Sequence, residues 1–581
     1  MGSGIFSVGA SAMFAAQAKL DTISHNISNA NTPGYSRQDV VLVTEGGLYT
    51  GAGFFGRGVK VSTVSRTTNE FLVKESNVNT ASAAQDQTRL EKLKQLETVL
   101  PTGEAGLGYA AGLVLNSFVD VANQPQDMSA RQVTLARAQD WVSRMNTAGR
   151  QINSLQSGVV SDMRSTVQQI NSLTAQVAEV NQSIAKFTGS GHSPNDLLDK
   201  RDALIKQLSQ KVSITTVPAD DGTLSVFMGG GQMLVLSNRA ETLSVTRDPL
   251  DASQGRVALL TNGTERIIDG EQITGGALNG LLQFQDQDIT STRDQLNRFS
   301  ANFADAVNAQ QALGVDADGN LQTSFDSAGA PVNNPLFINT ADATNLKLSL
   351  TAPKGLAAAS PLVAVHNSKN KGTATIDNIA MARALPTTNA LDAATSKPAT
   401  GSPLTVVFEV DAADATKLTY RFTDSTGAPY KDTVPPRSWS ASTPTGALFN
   451  LTISGVPKAG DTIQIARTTY PTSNNGNALS MLNLRDKTMV SIDGVSQATV
   501  TDAYSQMIGS LGVIVQGGAT AADISKALQT SSEQTLSSIS GVNLDEEAAR
   551  LIQFQQSYQA AAKVLQIAQS LFTTLLQTAG G

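Results

Sequence analysis

Apolar residues recur in strict steps of three and four near both ends of the chain. Near the N-terminus the series is Phe6, Gly9, Met13, Ala16, Leu20, Ile23, Ile27 and Ala30. Near the C-terminus the series is Leu551, Phe554, Tyr558, Ala561, Leu565, Ala568, Phe572 and Leu575. Such a series is a heptad seam, the narrow apolar stripe of a helix that packs on another helix. The two seams predict terminal helices that pack on each other or on neighbouring subunits, a layout more typical of a polymer subunit than of an enzyme.

Between the ends, helical and strand patterns take turns. Residues 5–31 predict one helix that ends before Pro33-Gly34, because the residue before a proline is pushed out of the α region. Further helices are predicted at 69–100, at 109–157 (one or two helices), at 158–188, at 278–310, at 477–490 and from 499 to the end. Period-two alternation predicts strands at 40–43 and 59–64, a β meander at 212–270 and a β-rich region at 315–475.

This order predicts an α+β multidomain protein whose chain runs outward and returns. We expect paired N- and C-terminal coiled-coil-like helices, a long helical bundle domain with a small β insertion, and an outer β-rich domain. The expected bounds are 1–68 plus 530–581 for the terminal helical assembly domain; 69–211, 271–314 and 476–529 for the bundle; 212–270 for the insertion; and 315–475 for the outer domain.

Composition narrows the possible partners. The 581 residues include 42 basic and 49 acidic ones, for a net charge of −7, and no stretch is strongly basic, so nucleic acid is not an expected partner. There is no cysteine, which excludes disulfides and thiolate metal sites. No apolar run approaches the roughly 20 residues of a membrane helix, so membrane insertion is not expected. The first lysine is Lys19, so a cleaved signal peptide is not expected either.

Catalytic and metal motifs are missing from the sequence. The three histidines, His25, His192 and His366, lie far apart and form no metal-binding spacing. The run from Asp316 to Asn320 faintly resembles a calcium loop, but it lacks the closing glutamate and is better explained as an Asp-Gly turn. The acidic residues 545–547 complement a helix dipole more simply than they form a catalytic pair. We therefore expect no enzyme activity, no catalytic residue, no cofactor and no metal.

Two segments near the ends carry a family signature. The run from Asn26 to Gln38, Asn-Ile-Ser-Asn-Ala-Asn-Thr-Pro-Gly-Tyr-Ser-Arg-Gln, resembles the N-terminal signature of flagellar rod, hook and hook-associated proteins. Its Gly-Tyr-Ser-Arg-Gln ending resembles the hook-associated members more than the hook or rod proteins. The run from Ser540 to Glu547, with the apolar positions that follow, is similar to the end of the same family. Residues 194–202 and 474–479 resemble its helical domain, so the resemblance covers roughly 1–310 and 475–581.

The resemblance implies a structural role at the junction between hook and filament. It implies export through the flagellar type III apparatus without cleavage, and hence an extracellular location on the flagellum. The implied partners are copies of the chain itself in a ring or helical assembly, hook protein, a second junction protein, the filament cap during assembly, and an export chaperone on the C-terminal helix.

The seams and signatures give candidate assembly residues. In the N-terminal segment these are Phe6, Met13, Leu20, Ile23, Ile27, Tyr35 and Arg37. In the C-terminal segment, as assembly interface and chaperone site, they are Leu544, Leu551, Phe554, Tyr558, Leu565, Phe572 and Leu575.

Three alternatives stay open at this point. From the pattern alone, the seams equally well predict a coiled coil within one chain. The protein could instead be another flagellar axial protein, such as a hook or rod protein. It could also be a secreted adhesin that uses the outer β-rich domain.

Overall fold

The structure is a computed structural model that describes residues 2–50, 53–187, 193–261, 263–325, 331–340, 342–381, 404–423, 427, 437–438 and 449–579. The chain forms two compact units. Unit 1 contains Met1–Gln95, Leu155–Asp288 and Ile514–Gly581, and unit 2 contains Leu96–Ser154 and Ile289–Val513. Each unit therefore collects segments that are distant in sequence.

The helices, in chain order, are α1 (Gly2–Asn29), α2 (Glu70–Val99), α3 (Leu107–Asn116), α4 (Phe118–Asn123), α5 (Met128–Phe187), α6 (Asn195–Lys211), α7 (Gly276–Gln283), α8 (Thr290–Ala312), α9 (Gly476–Asn483), α10 (Val500–Ser540) and α11 (Leu544–Ala579). A π-helical turn, Phe284–Ile289, joins α7 to α8.

The strands of unit 1 are β1 (Gln38–Thr44), β2 (Leu48–Thr50), β3 (Gly53–Phe55), β4 (Val59–Arg66), β5 (Ile214–Pro218), β6 (Leu224–Met228), β7 (Gln232–Leu236), β8 (Arg239–Ala240), β9 (Thr242–Arg247), β10 (Gly255–Thr261) and β11 (Thr264–Ile267). Strand β1 pairs antiparallel with β4, with an irregularity between Val41 and Leu42. The others form a β2–β3 hairpin and two sheets of order β5-β6-β7-β8 and β11-β10-β9.

The strands of unit 2 are β12 (Thr323–Phe325), β13 (Pro331–Asn333), β14 (Phe337–Ile338), β15 (Lys347–Leu348), β16 (Leu362–His366), β17 (Thr375–Met381), β18 (Leu404–Val410), β19 (Leu418–Thr423), β20 (Arg437–Ser438), β21 (Phe449–Ser454) and β22 (Thr462–Arg467). Five of them form an antiparallel sheet of order β16-β22-β18-β19-β20. Its core includes Val406, Phe408 and Ile465. The helical part of unit 2 packs around Trp141, whose ring lies 4.5 Å from that of Phe303.

Amide side chains on helices hold neighbouring strands by binding both polar groups of one backbone residue. Asn171 on α5 donates to the carbonyl of Leu243 over 2.8 Å and accepts from its N–H over 2.9 Å. In the π-helical turn, Gln285 holds the N–H and the carbonyl of Gly255 in the same way. Because a strand residue needs a partner for both groups, such an amide replaces the missing neighbouring strand.

The mixed α and β content that the sequence predicts is confirmed. One difference concerns residues 128–187, which form a single 60-residue helix with no break between 157 and 158. Gly158 sits inside this helix with open space around it, so one glycine costs only about 1 kcal/mol of helix propensity and does not end the helix. The C-terminal helix predicted from 499 is instead divided in two between Ser540 and Leu544.

The C-terminal helical region contains a stretch that is apolar on average, although charged and polar residues interrupt it. Within Val500–Thr578 an 18-residue window has a mean hydropathy of 1.3, enough by length and composition for a membrane-crossing helix, and 22% of that window is buried. Core helices of soluble proteins reach the same length and hydropathy.

Candidate assembly site formed by the terminal helices

Helices α1 and α11 pack against each other with opposite chain directions. Phe6 meets Phe572 edge to face, with ring centroids 6.1 Å apart. Further along, the ammonium of Lys19 lies 4.8 Å from the centroid of the Phe554 ring. Positions that rise in number along α1 thus face positions that fall along α11, which makes the pair antiparallel.

Small residues allow the two helices to approach closely. A Cβ atom on Gly9 would lie 3.0 Å from Cδ2 of Leu565, closer than ordinary packing permits. Ala16 on α1 and Ala561 and Ala568 on α11 are buried. The contact therefore depends on shape, and larger side chains at these positions would push the helices apart.

A buried polar cluster lies where α1 ends and α11 begins. It is centred on Asn26, which is 1% exposed. Its Nδ2 donates to the Gln38 carbonyl over 2.9 Å and to Oε2 of Glu547 over 3.0 Å. Its Oδ1 accepts from the Tyr35 hydroxyl over 2.8 Å and from the Gln38 N–H over 3.0 Å. All four hydrogen-bonding positions of the amide are thus used.

The Tyr35 hydroxyl stays protonated at neutral pH. Burial raises the pKa of Tyr35 to about 12, and the carboxylates of Asp199, Asp196 and Glu547 add to the rise. His25 Nδ1 lies 2.9 Å from the same hydroxyl oxygen. The phenol therefore remains a hydrogen-bond donor to Asn26.

Arg37 links the segment after α1 to the end of α10 and to the start of α11. Its backbone N–H donates to the Ser540 carbonyl over 2.8 Å, and its guanidinium lies 3.0 Å from Oε2 of Glu546. The Glu546 side chain is largely exposed, so this ion pair contributes little stability, while the backbone bond fixes the chain crossing.

A second ion cluster holds the β1–β4 ribbon on α6. The Arg66 guanidinium lies 2.6 Å from Asp199 and 2.9 Å from Asp202. Asp199 also accepts from the Ser36 N–H over 3.1 Å. Asn195 donates to the side-chain oxygen of Gln38 and to the carbonyl of Val64. The resembling motifs at 26–38 and 194–202 are therefore in direct contact.

The structure places the sequence-predicted assembly residues in three groups. Those partly buried in the chain are Phe6, Met13, Leu20, Tyr35, Arg37, Leu551, Phe554, Tyr558 and Leu565. Ile23 is buried, whereas Ile27, at 36%, and Leu544 and Phe572, at about half, are exposed. The side chain of Leu575 lies outside the described residues. Their roles in assembly stay predictions.

Sequence reasoning missed Asn26 and Glu547, which are both 1% exposed. Glu547 lies four residues before Leu551 and Asn26 three residues after Ile23, so both continue their seams with a polar residue. The sequence signal for them is a polar residue that stands three or four positions from an apolar residue of the seam.

Several large apolar side chains of the terminal pair are exposed in the single chain. Phe14 is 64% exposed on α1, and Ile552, Ile567, Leu571 and Leu576 are more than half exposed on α11. Val564, Ile567 and Leu571 follow one another in steps of three and four on one side of α11, and they form an apolar face that the single chain leaves uncovered. Neighbouring exposed apolar residues of this kind commonly mark a protein interface.

The run that resembles a calcium loop and the histidines were the candidates for metal binding. The Asp316 carboxylate accepts from the N–H groups of Asp318 and Asn320 over 2.9 and 2.8 Å, as in an Asx turn. Among the residues that the structure describes, no group of three or more His, Asp or Glu could hold a metal ion. His192 lies outside those residues.

Comparisons with known families match three parts of the chain. Residues 93–326 match the flagellar hook-associated protein FlgK helical domain. Residues 6–35 match the flagella basal body rod protein family, and 533–578 match the flagellar basal body rod FlgEFG protein C-terminal family. These matches cover both terminal helices and the helical middle.

Curated relatives match over nearly the whole length. Flagellar hook-associated protein 1 of Salmonella typhimurium is 29% identical over 97% of this chain and 98% of that protein. The Escherichia coli K12 protein of that name is 28% identical over the same shares. The Bacillus subtilis one is 25% identical over 98% of this chain and 97% of its own.

A solved structure shares the fold. The flagellar hook junction protein FlgK from Burkholderia pseudomallei is similar with a TM-score of 0.63 and 23% identity, over 80% of this chain and all of that one. Paired terminal helices with rod-type signatures around a helical middle define an axial protein of the bacterial flagellum. Within that class, the chain is similar over nearly its whole length to flagellar hook-associated protein 1.

Proposed function

We propose that the chain is a structural subunit of the bacterial flagellum that joins hook to filament. The observation that carries this function is the full-length similarity to hook-associated protein 1, which includes both terminal segments. The paired terminal helices supply the means, because they present an apolar face that one chain leaves uncovered.

Assembly proceeds by burial of that face on neighbouring subunits. Ile567 and Leu571 lie one turn apart on α11 and are each 52% exposed. Removing such side chains from water stabilises contact by about 25 cal/mol per Å² of apolar area. A contact between different surfaces of identical subunits repeats around an axis and builds a ring or helix.

The proposed partners follow from this position in the flagellum. Copies of the chain form the junction layer, with hook protein on one side and a second junction protein on the other. The filament cap assists insertion. An export chaperone covers the apolar face of α11, from Leu544 to Leu576, until the chain leaves the cell.

The proposed location is extracellular, at the hook–filament junction, after type III export without cleavage. The proposed domain organisation keeps the terminal helical assembly domain (1–68 plus 530–581) at the axis. The other proposed domains are the helical bundle (69–211, 271–314 and 476–529), the small β insertion (212–270) and the outer β-rich domain (315–475).

An in-frame deletion tests the function. Electron microscopy should show hooks without filaments, and flagellin should accumulate in the medium, because the filament has no base to grow on. The parent gene on a plasmid should restore filaments. Intact filaments in the deletion strain would contradict the junction role, and loss of hooks would indicate a rod or hook protein.

A further inference from the structure

A polar pair occupies the apolar seam between α1 and α11. On α11 the inward-facing positions run from Glu547 through Leu551 and Phe554 in steps of four and three. On α1 the position three residues after the buried Ile23 is Asn26. Asn26 and Glu547 face each other, and their side chains are joined by the 3.0 Å hydrogen bond.

This pair contributes little to the stability of the helix pair, but it favours one register of α11 against α1 over the others. Oε1 of Glu547 is buried with no hydrogen-bond partner among the described residues. A buried carboxylate with one unsatisfied oxygen adds little folding stability compared with an apolar residue of the same size. Losing its remaining partner, however, leaves the carboxylate group uncompensated in a buried site.

The rest of the seam distinguishes one register from the next by shape alone, as in the close approach of α11 at Gly9. Small and aliphatic residues repeat every three or four positions on both helices, so a slip of seven residues still buries apolar surface against apolar surface. Lys19, one heptad before Asn26, could receive Glu547 after such a slip. Its ammonium already lies 3.5 Å from Asp39 of β1, which does not move with α11.

Asn26 also connects the helix pair to the rest of unit 1. The same amide holds both backbone groups of Gln38, the first residue of β1. Any slip of α11 that breaks the contact with Glu547 therefore leaves α1 fixed to the β1–β4 ribbon. This fixes α1 as the reference against which α11 is positioned.

We infer that Asn26 and Glu547 are positioning residues that set the register of α11 against α1, and thereby the pattern of apolar residues offered to neighbouring subunits. The second part of this inference rests on the proposed function, whereas the register itself is a property of the single chain.

Cysteine cross-linking measures the register directly, because the chain has no cysteine of its own. Gly9→Cys with Leu565→Cys reports the observed register. Gly9→Cys with Tyr558→Cys or with Phe572→Cys, each combined with Leu565→Ala to make room for the new Cβ, reports a slip of one heptad in either direction. In the full-length parent, mild oxidation should cross-link the first pair at least tenfold faster than the other two.

Replacing both polar residues should remove this preference. In the Asn26→Leu/Glu547→Leu background, the ratio of observed to slipped cross-linking should fall at least tenfold while circular dichroism shows unchanged helix content. An unchanged ratio in that background would overturn the inference. Because register is read in the isolated chain, this outcome is independent of whether the chain joins hook to filament.

If the double leucine variant does not fold, exchanging the amide and the carboxylate between positions 26 and 547 still tests the inference. Asn26→Asp places a carboxylate opposite Glu547 and should lower the ratio. Adding Glu547→Gln restores a donor opposite the new carboxylate and should recover at least half of the loss. Both variants share the changed contact with Gln38, so a purely structural role for Asn26 would give the same ratio in each and would contradict the inference.

Discussion

The rings of Phe6 and Phe572 meet edge to face, with their planes at 86°. The two residues lie near opposite ends of the chain, so this contact closes the terminal helix pair at the end remote from Asn26. Edge-to-face aromatic pairs contribute about 0.5–1.5 kcal/mol beyond their buried area.

We expect Phe6→Ala and Phe572→Ala to destabilise the terminal pair non-additively. A double-mutant cycle followed by circular dichroism during urea unfolding should give a coupling energy of about 1 kcal/mol. Phe14→Ala is the control, since Phe14 is 64% exposed on the same helix and should leave the unfolding transition of the single chain unchanged. Additive effects of the two aromatic substitutions would argue against the contact.

The close approach at Gly9 should not tolerate a branched side chain. Gly9→Val adds a Cβ at 3.0 Å from Leu565 and should destabilise the helix pair by about 1–3 kcal/mol through overpacking. Leu565→Ala in the same chain should recover part of that loss. Gly112→Ala on α3, where a Cβ meets open space, should instead stabilise the chain by about 0.5–1 kcal/mol. Equal effects at the two glycines would contradict the packing described.

The amide of Gln285 should matter more than its size. Gln285→Leu leaves the N–H and the carbonyl of Gly255 without this partner in a buried site. We expect a loss of about 1–3 kcal/mol in the free energy of unfolding, measured by urea denaturation. Gln287→Leu, at an exposed position of the same π-helical turn, should change the free energy of unfolding by less than about 0.5 kcal/mol.

Stability that depends on Tyr35 should disappear at high pH. The folded-state pKa of about 12 lies above the ordinary value of 10.0, so folding favours the neutral phenol. Its contribution is complete below pH 10 and is lost as the pH rises towards 12. The difference in unfolding midpoint between the parent and Tyr35→Phe should therefore shrink over this range. A difference that stays constant from pH 9 to 12 would show that the hydroxyl does not act through its proton.

Tyr504 offers an internal comparison in unit 2. Its hydroxyl donates to the Pro101 carbonyl over 2.7 Å, and burial raises its pKa to about 12 as well. Tyr504→Phe should show the same pH trend without affecting cross-linking between Gly9→Cys and Leu565→Cys.

The terminal helices illustrate what periodicity predicts well and what it omits. The three-and-four spacing from Phe6 to Ile23 predicts the inward face of α1, because a helix that packs on one side repeats with that spacing. At the next step the spacing favoured Ile27, yet Asn26 is the buried residue. Apolar spacing gives no signal for Asn26. Its four hydrogen bonds go to Gln38 in β1, to Glu547 in α11 and to Tyr35 in the segment between α1 and β1.

Long-range pairing was beyond the sequence for a different reason. Alternation at Leu418, Tyr420 and Phe422 indicates a strand, and β19 is present there. The alternation does not specify that β22 lies between β16 and β18, since that order depends on side-chain packing across the sheet. Similarly, Asn171 and Gln285 read as ordinary polar helix positions, and only the fold brings them to the backbone of β9 and β10.

In the proposed function, the uncovered face of the terminal helix pair joins subunits at the hook–filament junction. The most direct test restores the deletion strain with Ile567→Asp/Leu571→Asp, which charges that face, and with Gln566→Asp/Ser570→Asp, which adds the same charge at exposed polar positions of α11. The first variant should be secreted but leave bare hooks and soluble flagellin, and the second should restore filaments. Normal filaments with Ile567→Asp/Leu571→Asp would contradict the claim.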